Sequence, residues 1–263
     1  MARRPMMAAN WKMNKTIREA EQYTAALLPR AADAEGVDVA VFVPFTCLHE
    51  VGRMAEDTEV IAGAQNFYYE DSGAFTGEVS VPMLQDAGAR AGIVGHSERR
   101  ETFGETDDVV AKKAKRAVEA GLLPVVCVGE TKEERDSGGM WDKVSGQVRR
   151  VIEELEDADG ESIVFAYEPI WAIGTGDTAT PEDAQDAIEK IRELLREEVG
   201  DTFADSVRIL YGGSVKPDNA AEIMAQQDVD GGLVGGASLE VDSFAELIGA
   251  AQNAVTQTEQ TEY

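Results

Sequence analysis

Eight short apolar runs are spread along the 263-residue chain, and longer mixed stretches separate them. The runs are near-continuous rather than alternating, which is typical of parallel strands that are buried on both faces. We therefore predict strands at 6–10, 37–43, 60–64, 91–94, 123–128, 163–167, 207–211 and 231–234.

The stretches between the runs have the spacing of amphipathic helices. Ala184, Ile188, Ile191 and Leu195 recur every three or four positions, with charged residues between them. Thr180 stands before a proline and two acidic residues, which is a typical helix start because a hydroxyl caps the first turn and acids favour its positive end.

Repeated strand–helix units can close into a (β/α)8 barrel or form an open, doubly wound sheet, and the periodicity leaves both folds open. A barrel takes about 250 residues, so we predict a single α/β domain over 1–263. The polar residues 252–263 are expected to fray. The one long non-helical insertion, 65–79, has a length that is usual for a functional or docking loop.

The charge balance is strongly acidic. Fifty acidic residues face 24 basic ones, which gives a net charge of −26. Such a surface repels nucleic acids and anionic lipids, so we exclude both as partners. Two interpretations of the acidity stay open: solubility alone, or a salt-rich cytoplasm in which ions screen the self-repulsion.

The compartment is predicted from the cysteines and the termini. Two cysteines, Cys47 and Cys127, do not make a disulfide framework, which favours a reducing compartment. No apolar segment follows Arg3 and Arg4 as in a signal peptide, and no run is long enough to cross a membrane. We expect a cytoplasmic protein.

Polar side chains follow several predicted strands, at the edge where barrels and open α/β sheets place their sites. Lys12 follows the first strand and suits an anionic substrate, although a solvated surface charge is the simpler interpretation. His96 follows the fourth strand, where a lone histidine is more often structural than catalytic. A helix starting at Ser97 would disfavour its charged form. The second histidine, His49, is predicted to lie on a surface helix.

Glu168 follows the sixth strand directly, where a carboxylate needs a role or a partner. A salt-bridged acid remains one interpretation. A proline, large apolar residues and the glycines 174 and 176 come next, which is the composition of a hinged lid that excludes water. The pattern at 174–179 also fits a dinucleotide motif, but it begins too far from the strand end. No metal-ligand spacing occurs.

Glycine pairs follow the last two predicted strands, at 212–213 and 235–236. Glycines there let backbone N–H groups approach an anion, and barrels often bind phosphate at this place. Each pair alone is also a common turn.

Together these segments resemble the triosephosphate isomerases of bacterial type. The resemblance covers nearly the whole chain and rests on the segments at 10–14, 72–78, 95–100, 124–130, 167–176, 211–215 and 235–238. It implies a closed barrel that interconverts dihydroxyacetone phosphate and D-glyceraldehyde 3-phosphate, in glycolysis and gluconeogenesis, without a metal or an organic cofactor.

The resemblance also assigns roles. Glu168 corresponds to the catalytic base, His96 to a neutral electrophile and Lys12 to the cation at the substrate oxygens. The implied substrate-binding positions are Asn10, Lys12, Gly174, Ser214, Gly235 and Gly236. Tyr211 and Ser214 resemble the residues that latch the closed lid.

A homodimer is implied as well, with the loop around Thr76 reaching into the second subunit. One departure is Asp177, at a position where the family often carries lysine after the lid glycines. Two other hypotheses compete: a different phosphate-binding barrel enzyme, and a non-catalytic protein on the same scaffold.

Overall fold

Eight parallel strands close into a barrel in the computed structural model, which describes residues 3–155, 158–173 and 179–261. The strands are β1 Met6–Asn10, β2 Asp38–Val43, β3 Ile61–Ala64, β4 Ala91–Val94, β5 Leu123–Val128, β6 Val164–Tyr167, β7 Arg208–Tyr211 and β8 Gly231–Val234. Each pairs with its neighbour in chain order, and β8 pairs with β1. The predicted strands are confirmed to within one residue, and the closed barrel is the correct one of the two folds.

Helices connect the strands throughout the described residues. They are α1 Ile17–Ala32, α2 Phe45–Ala55, α3 Val81–Asp86, α4 Ser97–Phe103, α5 Asp107–Glu119, α6 Lys132–Asp136, α7 Met140–Ile152, α8 Pro181–Glu198, α9 Asp201–Ser206, α10 Ala220–Met224 and α11 Val241–Thr261. Short 3₁₀ turns lie at Gly160–Ser162, Ile170–Ala172 and Gly236–Ser238. Within this described part, no helix has the length and apolar character that spanning a bilayer requires.

The start of α8 and the end of α11 are the two helix ends for which the sequence made a prediction. Thr180 caps α8 as predicted, because its hydroxyl accepts the N–H of Asp183 at 3.1 Å. The predicted tail over 252–263 is different: α11 continues through Thr261, so the backbone there is helical. Fraying of this segment concerns motion and stays a prediction.

The barrel interior and the outer layer take alternate side chains of each strand. Met6 and Ala8 point into the barrel, whereas Met7 and Ala9 pack against the helices. Phe42 fills the interior beside Gly63, where an added Cβ would lie 2.5 Å from the ring. Full burial of such a side chain contributes about 1.5–3 kcal/mol. Because of this alternation, the side chain of every second strand residue points toward the barrel axis, as far as the carboxyl edge.

A buried arginine ties the beginnings of β7 and β8 together. Arg192 contacts Asp228 at 2.8 Å and Asp230 at 2.6 Å, and Asp230 also accepts the N–H of Ile209 at 2.8 Å. Because both carboxylates are buried, their partners must remain in place. The network fixes the two strands whose opposite ends carry the glycine pairs.

Candidate active site

A cavity of about 720 Å³ opens at the carboxyl edge of the barrel. The predicted residues that line it are Asn10, Lys12, His96, Glu168, Ser214, Gly235 and Gly236. Strands far apart in the sequence thus deliver these residues to one place. The remaining predicted position, Gly174, lies outside the described residues, as does Asp177.

The end of β1 directs Asn10 and Lys12 into this cavity. Asn10 continues the inward register of Met6 and Ala8 and is buried, and its Oδ1 accepts the N–H of Lys12 at 3.0 Å. Lys12 has a φ of +52°, a left-handed conformation that costs a non-glycine residue about 1–2 kcal/mol. The Asn10 bond holds Lys12 in that conformation and so aims its side chain.

The Lys12 ammonium is paired with a carboxylate. Its Nζ lies 2.7 Å from Oε1 of Glu98, and both side chains are partly exposed. Gly235 lies close on the other side, because an added Cβ would come within 3.2 Å of the Lys12 Cε. Glu98 is a site residue that the sequence did not reveal, although it stands two positions after His96 in the first turn of α4.

His96 caps the N-terminus of α4, so the predicted helix start at Ser97 is confirmed. The ring is buried, and its Nδ1 accepts the N–H of Glu98 at 3.3 Å. A nitrogen that accepts a hydrogen bond carries no proton, so this contact favours the neutral ring with its proton on Nε2. Nε2 lies 3.0 Å from Oε1 of Glu168.

Glu168 is almost completely buried and held by three groups. Its Oε2 accepts the backbone N–H of Ser97 at 2.8 Å, and its Oε1 lies 3.3 Å from the Ser97 hydroxyl and 3.0 Å from His96. Gly212 leaves space for the side chain, since an added Cβ would lie 2.9 Å from the Glu168 Cγ. The role of Ser97 as a partner of the carboxylate was also missed from the sequence.

The protonation of this pair follows from opposing influences. Burial raises the pKa of Glu168, but the His96 imidazole and the Ser97 N–H outweigh it, so the pKa lies below its usual range. Burial likewise lowers the pKa of His96, and the adjacent Glu168 carboxylate raises it more. The carboxylate thus favours a charged ring, whereas the N–H of Glu98 favours a neutral one.

The glycine pairs also line the cavity: Gly212 lies beside Glu168, and Gly235 lies beside Lys12. Gly235 precedes the 3₁₀ turn Gly236–Ser238, and the hydroxyl of Ser238 donates to the Val234 carbonyl at 2.8 Å. The space beside Gly236 is open, because an added Cβ would meet nothing within 4 Å. Backbone N–H groups at such a turn can bind an anion.

The segment after Glu168 is anchored at its first residues. Trp171 donates its indole N–H to Oε1 of the buried Glu130 at 2.9 Å, and the Tyr167 hydroxyl donates to the same oxygen at 3.1 Å. Burial raises the pKa of Glu130. Ser214 donates to the Ala172 carbonyl at 3.1 Å, which links the segment to the end of β7.

Two further titratable candidates lie in contrasting surroundings, His49 on the surface and Cys127 in the interior near Glu168. His49 is exposed on α2, as predicted. Cys127 points into the barrel interior, and burial raises the pKa of its thiol. In the portion of the chain that the structure describes, no group of three or more His, Cys, Asp or Glu residues is arranged to hold a metal ion.

The comparisons with known proteins agree with one another. The family model described as triosephosphate isomerase matches residues 5–251. A triosephosphate isomerase of Rubrobacter xylanophilus is 74% identical over 251 residues, which cover 95% of this chain and 98% of that protein. Those of Carboxydothermus hydrogenoformans and Moorella thermoacetica are 50% and 51% identical over 94% of this chain and 98% of each relative.

The family model spans most of the chain, and the relatives match it almost end to end at high identity. Their agreement with the closed barrel and its cavity leads to one conclusion. The chain belongs to the triosephosphate isomerase family.

Proposed function

We propose that this chain interconverts dihydroxyacetone phosphate and D-glyceraldehyde 3-phosphate through an enediolate, as a step of glycolysis and gluconeogenesis. The observation that carries the proposal is that a carboxylate, an imidazole and an ammonium line one cavity together with the glycine pairs at 212–213 and 235–236. A proton transfer next to a carbonyl needs a base and groups that stabilise the developing oxyanion.

Glu168 is the base in this proposal. Its carboxylate removes a proton from C1 of dihydroxyacetone phosphate, and the proton returns to C2. The lowered pKa supports the role, because the carboxylate is ionised and ready to accept a proton. Its bonds to Ser97 and His96 describe a resting position, which the side chain has to leave when it reaches the substrate carbon.

Lys12 and His96 stabilise the enediolate oxygens, and Asn10 holds Lys12 in place. The ammonium of Lys12 offsets the negative charge. Neutral His96 donates its Nε2 proton to one oxygen and accepts a proton from the other, so that the hydroxyl and the carbonyl exchange positions. When Glu168 turns to the substrate, the ring loses the carboxylate that favours its charged form, which supports the neutral state.

Ser214, Gly235 and Gly236 grip the phosphate in this proposal, together with Gly174 beyond the described residues. The open space beside Gly236 and the 3₁₀ turn that follows support the assignment. The lid predicted at 169–176, of which 174–176 lie outside the described residues, would close over the phosphate and exclude water, which hinders loss of phosphate from the enediolate. Tyr211, whose buried hydroxyl has no partner among the described residues, is a latch for the closed lid.

We also propose a cytoplasmic homodimer. Met13, next to Lys12, is 96% exposed in the single chain, which a partner subunit would cover. The loop around Thr76 is held in shape by Tyr68, whose ring centroid lies 4.6 Å from that of Phe75. Sedimentation would test this, since the change Thr76→Arg places a charge in the interface and should give monomers. A dimer unaffected by that change would contradict the assigned surface.

The activity is tested with a coupled assay. The purified chain is given D-glyceraldehyde 3-phosphate, and the dihydroxyacetone phosphate formed is reduced by an auxiliary dehydrogenase that consumes NADH. We expect turnover without added metal. Absence of turnover by the folded chain would overturn the proposal, and would favour a non-catalytic protein or a barrel enzyme for another phosphate.

A further inference from the structure

Lys216 lies at the mouth of the active-site cavity and has no assigned role. It lines the cavity and its side chain is exposed. Within the described residues, its ammonium makes no ion pair, hydrogen bond or ring contact. The charge is therefore available to solvent and to an approaching ligand.

Such a free cation is unusual in this chain. All 24 lysines and arginines lie in described positions, and 50 acidic residues compete for them. Among these described cations, only Arg18 and Lys190 share the lack of any side-chain partner. Neither Arg18 nor Lys190 is part of the lining of the active-site cavity. Lys190 lies at a separate surface groove between α7 and α8.

The backbone that carries Lys216 is fixed. Its N–H donates to Oδ1 of Asn219 at 2.8 Å, and the Asn219 amide donates to the carbonyl of Ser214 at 3.0 Å. Pro217 follows directly and restricts Lys216 to extended conformations. The free ammonium thus stands on a segment that is tied to the phosphate side of the cavity.

We propose that Lys216 captures the substrate by electrostatic steering: its charge draws the phosphate dianion toward the mouth without contacting the bound molecule. The inference rests on the proposed function, because it needs a phosphorylated substrate. A body of net charge −26 repels a dianion over long range, so a positive region at the entrance raises the rate of encounter. The carboxylate of Asp218, which is exposed at the same mouth, opposes the positive charge of Lys216.

The expected effect is modest and depends on salt. Triosephosphate isomerases are themselves the usual example of enzymes whose kcat/KM approaches the diffusional ceiling, so the encounter rate is visible in kcat/KM. One unit charge acting on a dianion across roughly 10 Å of water changes the encounter rate about two- to fourfold at low ionic strength. At about 1 M salt the Debye length is about 3 Å, and the effect should vanish.

The test compares Lys216→Gln with Lys190→Gln. Each change removes one positive charge, so the net charge goes from −26 to −27 in both. We measure kcat and kcat/KM for D-glyceraldehyde 3-phosphate at about 10 mM and about 1 M ionic strength, and divide by the wild-type value at the same salt. Lys216→Gln should lower kcat/KM about two- to fourfold at low salt only, with kcat unchanged. Lys190→Gln should have no such effect, and Asp218→Asn should raise kcat/KM at low salt.

Two results would overturn the inference. Equal behaviour of the Lys216 and Lys190 variants at low salt would show that position at the mouth does not matter. A deficit in the Lys216 variant that persists at 1 M salt would indicate direct contact with the substrate or a disturbed loop. If the wild type is active and either result is found, only the steering role of Lys216 is contradicted. If the wild type is inactive, the proposed function and the inference are both contradicted.

Discussion

Oε2 of Glu168 accepts the backbone N–H of Ser97 at 2.8 Å, although 71 positions separate the two residues. The contact joins the end of β6 to the first turn of α4 across the barrel mouth. It holds the carboxylate beside His96 rather than free in the cavity. The proposed base is thus held in one defined position by a distant part of the chain.

The length of the Glu168 side chain is the first point to test. Glu168→Asp shortens the reach of the carboxylate by one methylene, and a misplacement of about 1 Å can cost about 10²-fold in rate. We expect kcat to fall about 100-fold or more, with a smaller change in KM. The exposed Glu189 in α8 provides a matched control, since Glu189→Asp should leave kcat unchanged. Near-normal kcat for Glu168→Asp would contradict the role of the base.

The charge of His96 gives a second prediction. Because the Glu168 carboxylate raises the pKa of His96, the change Glu168→Gln should lower that pKa and extend the neutral state to lower pH. Proton and nitrogen NMR of the two histidines follows this directly, with His49→Gln used to assign the spectrum. An unchanged or higher pKa of His96 in the variant would mean that the carboxylate does not control the ring.

The packing of Gly212 against Glu168 gives a third prediction. In Gly212→Ala the new Cβ would lie 2.9 Å from the Glu168 Cγ and 3.1 Å from the Tyr167 carbonyl, so the carboxylate has to move. We expect kcat to fall about 10- to 100-fold. Gly146 in α7 offers the control, because nothing lies within 4 Å of an added Cβ there. Equal kcat in the two variants would show that the site tolerates the shift.

The sequence predicts much of this architecture because its strands are buried on both faces. Each run predicted a strand to within one residue, and the carboxyl-edge rule brought Lys12, His96 and Glu168 together. The choice of a closed barrel could not come from periodicity, since closure depends on the β8–β1 pairing, which is not local. It came from the resemblance.

The contacts around the proposed catalytic groups were harder to predict from the sequence. Ser97 and Glu98 hold the proposed base and the proposed cation, but their partners are distant in sequence and the bonds depend on rotamers. The left-handed conformation of Lys12 was missed as well: the Asn10 side chain two positions earlier accepts its N–H, but an asparagine there does not by itself predict a left-handed lysine. Such features depend on three-dimensional packing, which sequence patterns do not specify.

The acidic surface gives a fourth prediction. Self-repulsion among charges that sum to −26 destabilises the compact chain, and added salt screens it. If the surface is adapted to a salt-rich cytoplasm, the thermal unfolding midpoint should rise steadily with KCl into the molar range. Calorimetry or circular dichroism would follow the midpoint. A flat or falling curve would leave solubility as the remaining interpretation of the acidity.

The central claim is that Glu168 removes a carbon-bound proton from a triose phosphate held by the other cavity groups. Dihydroxyacetone phosphate in D₂O, followed by proton NMR, tests it most directly, because abstraction at C1 lets solvent deuterium enter that carbon. The wild-type chain should exchange the C1 proton rapidly, and Glu168→Gln should slow the exchange by about 10³-fold, within the range of general-base catalysis. Exchange by Glu168→Gln at the wild-type rate would contradict the account.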